Sequence, residues 1–146
     1  MESIKSRGRE VYSGAIESDA NKACHEIGKI LKMLQMFSTL NKEQYFDIKV
    51  ILSELLQNAI KHGNDCDNNK KIDVKVWLKD NVLGISVKDQ GYGFDALNTM
   101  ILKSRENECD PMSMDESGRG LCIIQNLCDC MKFDSSGNII TVTKKL

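Results

Sequence analysis

Glu54-Leu55-Leu56-Gln57-Asn58-Ala59-Ile60-Lys61-His62-Gly63-Asn64 is the stretch on which the fold turns. It closes a helix that starts from an Asn41 cap and runs to about His62, with Ile48, Leu52, Leu55 and Ala59 as its buried stripe and Gly63 as its stop. Glu54 and Asn58 stand one helical turn apart, just outside that apolar arc, so both face the rim of the core. Upstream, Ala23, Ile27, Ile30, Leu31, Leu34 and Phe37 recur at helical spacing behind a Ser18 or Asp19 cap, which predicts a first helix ending near Thr39. Before it, Val11 to Ile16 suits a strand.

Downstream the period changes from helical to alternating. Ile72, Val74, Val76 and Leu78 face one way and Asp73, Lys75, Trp77 and Lys79 the other, the pattern of a half-buried strand. Asp80-Asn81 suits a hairpin turn, and Leu83, Ile85 and Val87 continue the apolar face. That register puts Asp89 on the inward side, where an ionised carboxylate is costly without a partner. Residues 96–104 read as a short helix, 105–117 as an acidic polar loop, and Leu121 to Met131 as a helix. A last hairpin pairs Cys130 to Phe133 with Ile139 to Thr143. The sum is an α+β two-layer sandwich, with helices on one face of a mixed, mostly antiparallel sheet.

The 146 residues suit one domain spanning 1–146, which on folding buries roughly 70% of its unfolded surface. A formal net charge of -1 gives no electrostatic reason to expect nucleic acid or an anionic membrane as partner. Met1 to Glu10 lacks a hydrophobic signal core, and no stretch approaches the roughly 20 apolar residues of a membrane-spanning helix, so a cytoplasmic location is expected. There Cys24, Cys66, Cys109, Cys122, Cys128 and Cys130 are expected as reduced thiols, with Cys122 and Cys128 filling core space. Cys128-x-Cys130 is too tight for a usual zinc knuckle and both histidines lie far from it, so structural zinc is not expected.

Three segments carry chemistry. Magnesium takes oxygen ligands and keeps water while bridging phosphates, so the neutral Asn58 carbonyl oxygen suits it as a single protein ligand, leaving Glu54 free as a base. A polar helix edge with a capping asparagine fits the same residues. His62 lies near the border of the apolar arc and reads as packed against the sheet, with Lys61 a weaker candidate still. In Asp89-Gln90-Gly91-Tyr92-Gly93, Gly91 and Gly93 let the backbone turn and approach a flat ligand, and an adenine amine would satisfy Asp89. A plain glycine turn is the alternative. Gly118-Arg119-Gly120 immediately precedes the helical run that opens at Leu121, whose unpaired amides and positive end suit phosphate oxygens; a flexible helix entry is the alternative. No P-loop occurs, and Asp65-x-Asp67-x-Asn69 departs from a calcium loop at Lys70 and Val76. In this order and spacing the three segments point to an ATP site.

Ser53-Glu54-x-x-x-Asn58-Ala59-x-x-His62-Gly63, Asp89-x-Gly91-x-Gly93 and Gly118-x-Gly120 resemble the Asn box and two glycine boxes of the GHKL superfamily of ATPases. With one strand and one helix ahead of the Asn box, the chain is most similar to the anti-sigma-factor serine kinases within it. The resemblance implies a Bergerat-type fold, binding of ATP with Mg2+, and a homodimer that holds a sigma factor inactive and phosphorylates a serine or threonine on a small antagonist. By position it implies Asn58 on magnesium, Glu54 activating the acceptor hydroxyl, Asp89 on adenine, and Gly91, Gly93, Gly118, Arg119, Gly120 and Leu121 around the nucleotide.

Two other readings stay open. His25-Glu26 resembles the surroundings of a phosphorylated histidine, which suggests a free-standing histidine-kinase catalytic domain; only one helix precedes the Asn box to carry it. A nucleotide-gated module that binds a partner without phosphotransfer needs no base, and Glu54 argues against it.

Overall fold

Polar and apolar alternation becomes a five-stranded sheet in the computed structural model, which describes residues 8–64, 67, 69–90, 116–135 and 138–146. In chain order the elements are β1 (Arg9–Glu17), α1 (Ala20–Phe37), α2 (Lys42–Asn58), a π-helical turn (Ala59–Gly63), β2 (Lys71–Lys79), β3 (Val82–Lys88), α3 (Glu116–Leu127), β4 (Cys130–Phe133) and β5 (Ile139–Lys145). The strands lie in the order β1-β2-β3-β5-β4. Every pairing among these described strands is antiparallel, in keeping with the mostly antiparallel sheet expected from sequence. Two pairings, β2 with β3 and β4 with β5, are hairpins, and β1 pairs with β2 across the stretch that holds α1 and α2.

Local chemistry sets the element ends. The Asp19 carboxylate accepts from the Asn21 and Lys22 amides at 2.9 and 3.1 Å, and Asn41 exchanges side chain-to-backbone bonds with Gln44 in a capping box. Asp80 and Asn81 both take positive φ (49° and 66°), the left-handed pair of a tight hairpin turn whose twist matches the flanking strands.

The core lies between sheet and helices. Ile72, Val74 and Val76 of β2, Leu83 and Ile85 of β3 and Val142 of β5 join Ile30, Leu34, Ile48, Leu52 and Leu55 in one buried cluster. On the opposite sheet face Trp77 lies across Gly84, where a Cβ would stand 2.1 Å from the indole.

α3 departs from the sequence reading at both ends: it spans Glu116–Leu127 instead of Leu121 to Met131. Gly118 and Gly120, read as a loop before the helix, lie inside it, and Glu116 and Ser117, read as loop, form its start. Burial of Leu121, Cys122 and Ile124 supplies the tertiary packing that overrides glycine's poor helix propensity. Its end is fixed by Lys144 of β5, whose ammonium donates to the Leu127 carbonyl at 2.7 Å and lies 3.7 Å from the Asp47 carboxylate of α2. The proposed 96–104 helix and most of the 105–117 loop fall outside the described residues.

Candidate functional site

Helical spacing delivers Glu54 and Asn58 to one edge of α2, and packing of α3 on α2 brings Gly120 against both. A Cβ at Gly120 would stand 2.7 Å from Glu54 Oε2 and 3.6 Å from Asn58 Oδ1. The missing side chain is therefore what lets α3 close onto that edge. Asn58 is buried, and its Nδ2 has no hydrogen-bond partner among the described residues. A buried amide donor left unspent costs about 1–3 kcal/mol, so this position has room for a further acceptor. Gly118 sits in the first turn of α3, among amides without intrahelical acceptors.

Asp89 follows the last residue of β3 and is 7% exposed, as the strand register required. Its amide donates to the Asn138 carbonyl at 3.0 Å, and the Asn138 side-chain amide reaches the Asp89 carbonyl at 3.5 Å. The next amide, Gln90 N–H, donates to Asn64 Oδ1 at 2.7 Å. Asn64 is fully buried; its Nδ2 donates to Ser18 Oγ at 2.8 Å and to the Lys71 carbonyl at 3.0 Å. Its own N–H donates to the Ala59 carbonyl at 2.8 Å, closing the π-helical turn that follows Asn58. Ser18 Oγ passes the chain on to the Lys70 carbonyl at 2.8 Å.

Sequence reasoning missed Asn64, Ser18 and Asn138. Asn64 stands just past a helix-stopping glycine in an Asn- and Asp-rich stretch, a composition that reads as exposed turn. Only Ser18, as a candidate cap, carried any signal, and its hydroxyl is spent on the Asn64 network while Asp19 does the capping.

Leu121 is fully buried in the core behind the site, and Arg119 is exposed. Gly91, Gly93 and the side chain of His62 lie outside the described residues, and Lys61 is exposed. His25 is exposed on α1, lining a surface groove with Glu17, Lys22 and Glu26. Cys24, Cys128 and Cys130 are free thiols, while Cys122 is disulfide-bonded, which corrects the expectation that all six are reduced. Among the described residues no cluster of three or more His, Cys, Asp or Glu is arranged to hold a metal, and no helix is long and apolar enough to cross a membrane.

Residues 18–144 match the histidine kinase-like ATPase domain. The chain is also similar to proteins named anti-sigma F factor: 28% identical over 88 residues to that of Clostridium perfringens, with 57% of each chain covered. It is 31% identical over 84 residues to that of Shouchella clausii, covering 58% of this chain and 56% of the relative. A third such protein, from Bacillus velezensis, is 30% identical over 89 residues, with coverage of 58% and 56%. The chain thus spans a little over half the length of the curated relatives it matches.

Proposed function

The chain belongs to the histidine kinase-like ATPase domain family, and from that premise we propose that it is an ATP- and Mg2+-dependent serine/threonine kinase acting as an anti-sigma factor. Its substrate in this reading is a small antagonist protein, and its inhibitory partner a sigma factor. The observation that carries it is the seat around Gly120, where Glu54 and Asn58 meet α3 and Asn58 Nδ2 is buried without an acceptor. Relatives named anti-sigma F factor support the choice of partner class.

The donor set fits a magnesium polyphosphate. Asn58 offers a carbonyl oxygen, the ligand type magnesium accepts, and an unspent amide that suits a phosphate oxygen. Bound Mg-ATP would supply a phosphoryl group activated for transfer, with its charge partly neutralised by the metal. The rest falls to the chain. Amides of the first turn of α3, Gly118 among them, face anionic oxygens with the positive end of the helix behind them. Asp89 accepts from the adenine amine, which offsets the cost of its burial. A serine or threonine hydroxyl is a weak nucleophile at neutral pH, and Glu54, one turn from Asn58, accepts its proton as the phosphoryl group transfers.

The test incubates purified protein and labelled ATP with candidate antagonist and sigma-factor proteins from the same source. Acid-stable label on the antagonist, reduced roughly 10²-fold by Glu54→Gln with ATP binding retained, is the expected result. Acid-labile label on His25 would replace this reading with a histidine kinase. Partner binding without label in any protein would replace it with a passive nucleotide-gated switch.

A further inference from the structure

We propose that Asn64 is a positioning residue for base recognition, holding Asp89 at the angle from which it reads the adenine amine; the inference rests on the reading of Asp89 as the base ligand. Asn64, Lys71 and Gln90 form a closed ring of hydrogen bonds. Asn64 Nδ2 donates to the Lys71 carbonyl at 3.0 Å, the Lys71 amide donates to Gln90 Oε1, and the Gln90 amide donates back to Asn64 Oδ1 at 2.7 Å. The ring holds the Asp89–Gln90 peptide unit by its N–H. Asn138 holds the other side of Asp89, accepting its N–H at 3.0 Å.

With the amides on both sides of Asp89 committed, the peptide planes that set the direction of its Cα–Cβ bond have little freedom. The direction in which the carboxylate leaves the chain is then set by a backbone held on both sides. A charge-assisted hydrogen bond weakens steeply with misalignment, so aim decides how strongly one base is preferred over another. Asn64 also has a bond to the end of the helix that carries Glu54 and Asn58, through its N–H and the Ala59 carbonyl. One fully buried residue therefore touches both ends of the site, its side chain the base end and its backbone N–H the metal end. A polar residue without this task would satisfy its own groups locally; Asn64 instead reaches partners 46 and 26 positions away, in Ser18 and Gln90.

The experiment measures Kd for ATP and for inosine triphosphate, which lacks the exocyclic amine but keeps the same phosphates, in wild type, Asn64→Ala and Gln90→Ala, with thermal unfolding alongside. Wild type should prefer ATP. Folded Asn64→Ala should lose about tenfold of that preference, the equivalent of one well-aligned charge-assisted bond, while its affinity for inosine triphosphate stays within about twofold. A residue that merely supports the fold would weaken both nucleotides together and leave their ratio unchanged, and that result overturns the proposal. If Asn64→Ala does not fold, Gln90→Ala decides: it opens the same ring at an exposed side chain and should lower the preference about threefold, and an unchanged ratio again overturns the proposal. A wild type that binds both nucleotides equally would instead remove Asp89 as the base ligand. A wild type that binds neither would remove the nucleotide reading itself.

Discussion

Asn58 shows how a single residue separates stability from function. Its Nδ2 is buried without a hydrogen bond, so Asn58→Ala removes no bond from that atom and relieves a desolvated donor. Its unfolding free energy should stay within about 1 kcal/mol of wild type, while magnesium-dependent ATP binding weakens more than magnesium-free binding. Calorimetric titrations with and without metal check this; superimposed curves for the two proteins would make Asn58 structural. Asn58, Glu54 and Asp89 were legible in the sequence because helical spacing and strand alternation dictate where side chains point. Asn64 was not, since its meaning lies in contacts with Ser18 and Gln90, which no local period encodes.

At the scale of elements, α1 is tied to β1 by a hydrogen bond from the Tyr12 hydroxyl to Glu26 at 2.6 Å and by the Lys22 ammonium on the Glu17 carboxylate. Burial, with Glu26 adding to it, pushes the Tyr12 phenol well above its ordinary range, and the hydrogen bond from Tyr12 holds the Glu26 carboxyl below its usual 4.5. A carboxyl with a lowered folded pKa stabilises the fold above its unfolded value, and that stability is lost as pH falls through the folded one. Tyr12→Phe should therefore cost about 1 kcal/mol near neutral pH and flatten the fall in stability below pH 4.5, as followed by denaturant unfolding across pH. The starts of α1 and α2 were readable because Asp19 and Asn41 are side chains that cap. The start of α3 was not, because Gly118 and Gly120 carry a breaker's propensity and are helical through packing alone.

For the whole molecule, a ligand that binds only the folded state raises its stability by mass action. Mg-ATP at one hundred times its Kd contributes about 2.7 kcal/mol, which for a chain of this size lifts the thermal midpoint by about 5–10 °C. Asp89→Asn should keep the unliganded midpoint within a few degrees and lose most of the ATP-dependent rise, as read by calorimetry. The two-layer architecture was legible because both periodicities are clean, yet the strand order β1-β2-β3-β5-β4 was not: alternation assigns faces, and only hairpins assign neighbours. The π-helical turn Ala59–Gly63 has a bearing on both ends of the site. A helix advances about 100° per residue, so this turn acts as a phase shifter, storing one surplus residue that rotates everything after it out of step with the helix before. Winding the same residues as ordinary α-helix would swing Asn64 through about 100°, away from Gln90. Length and winding at that point are therefore tied to each other, a constraint that substitution scanning would never detect.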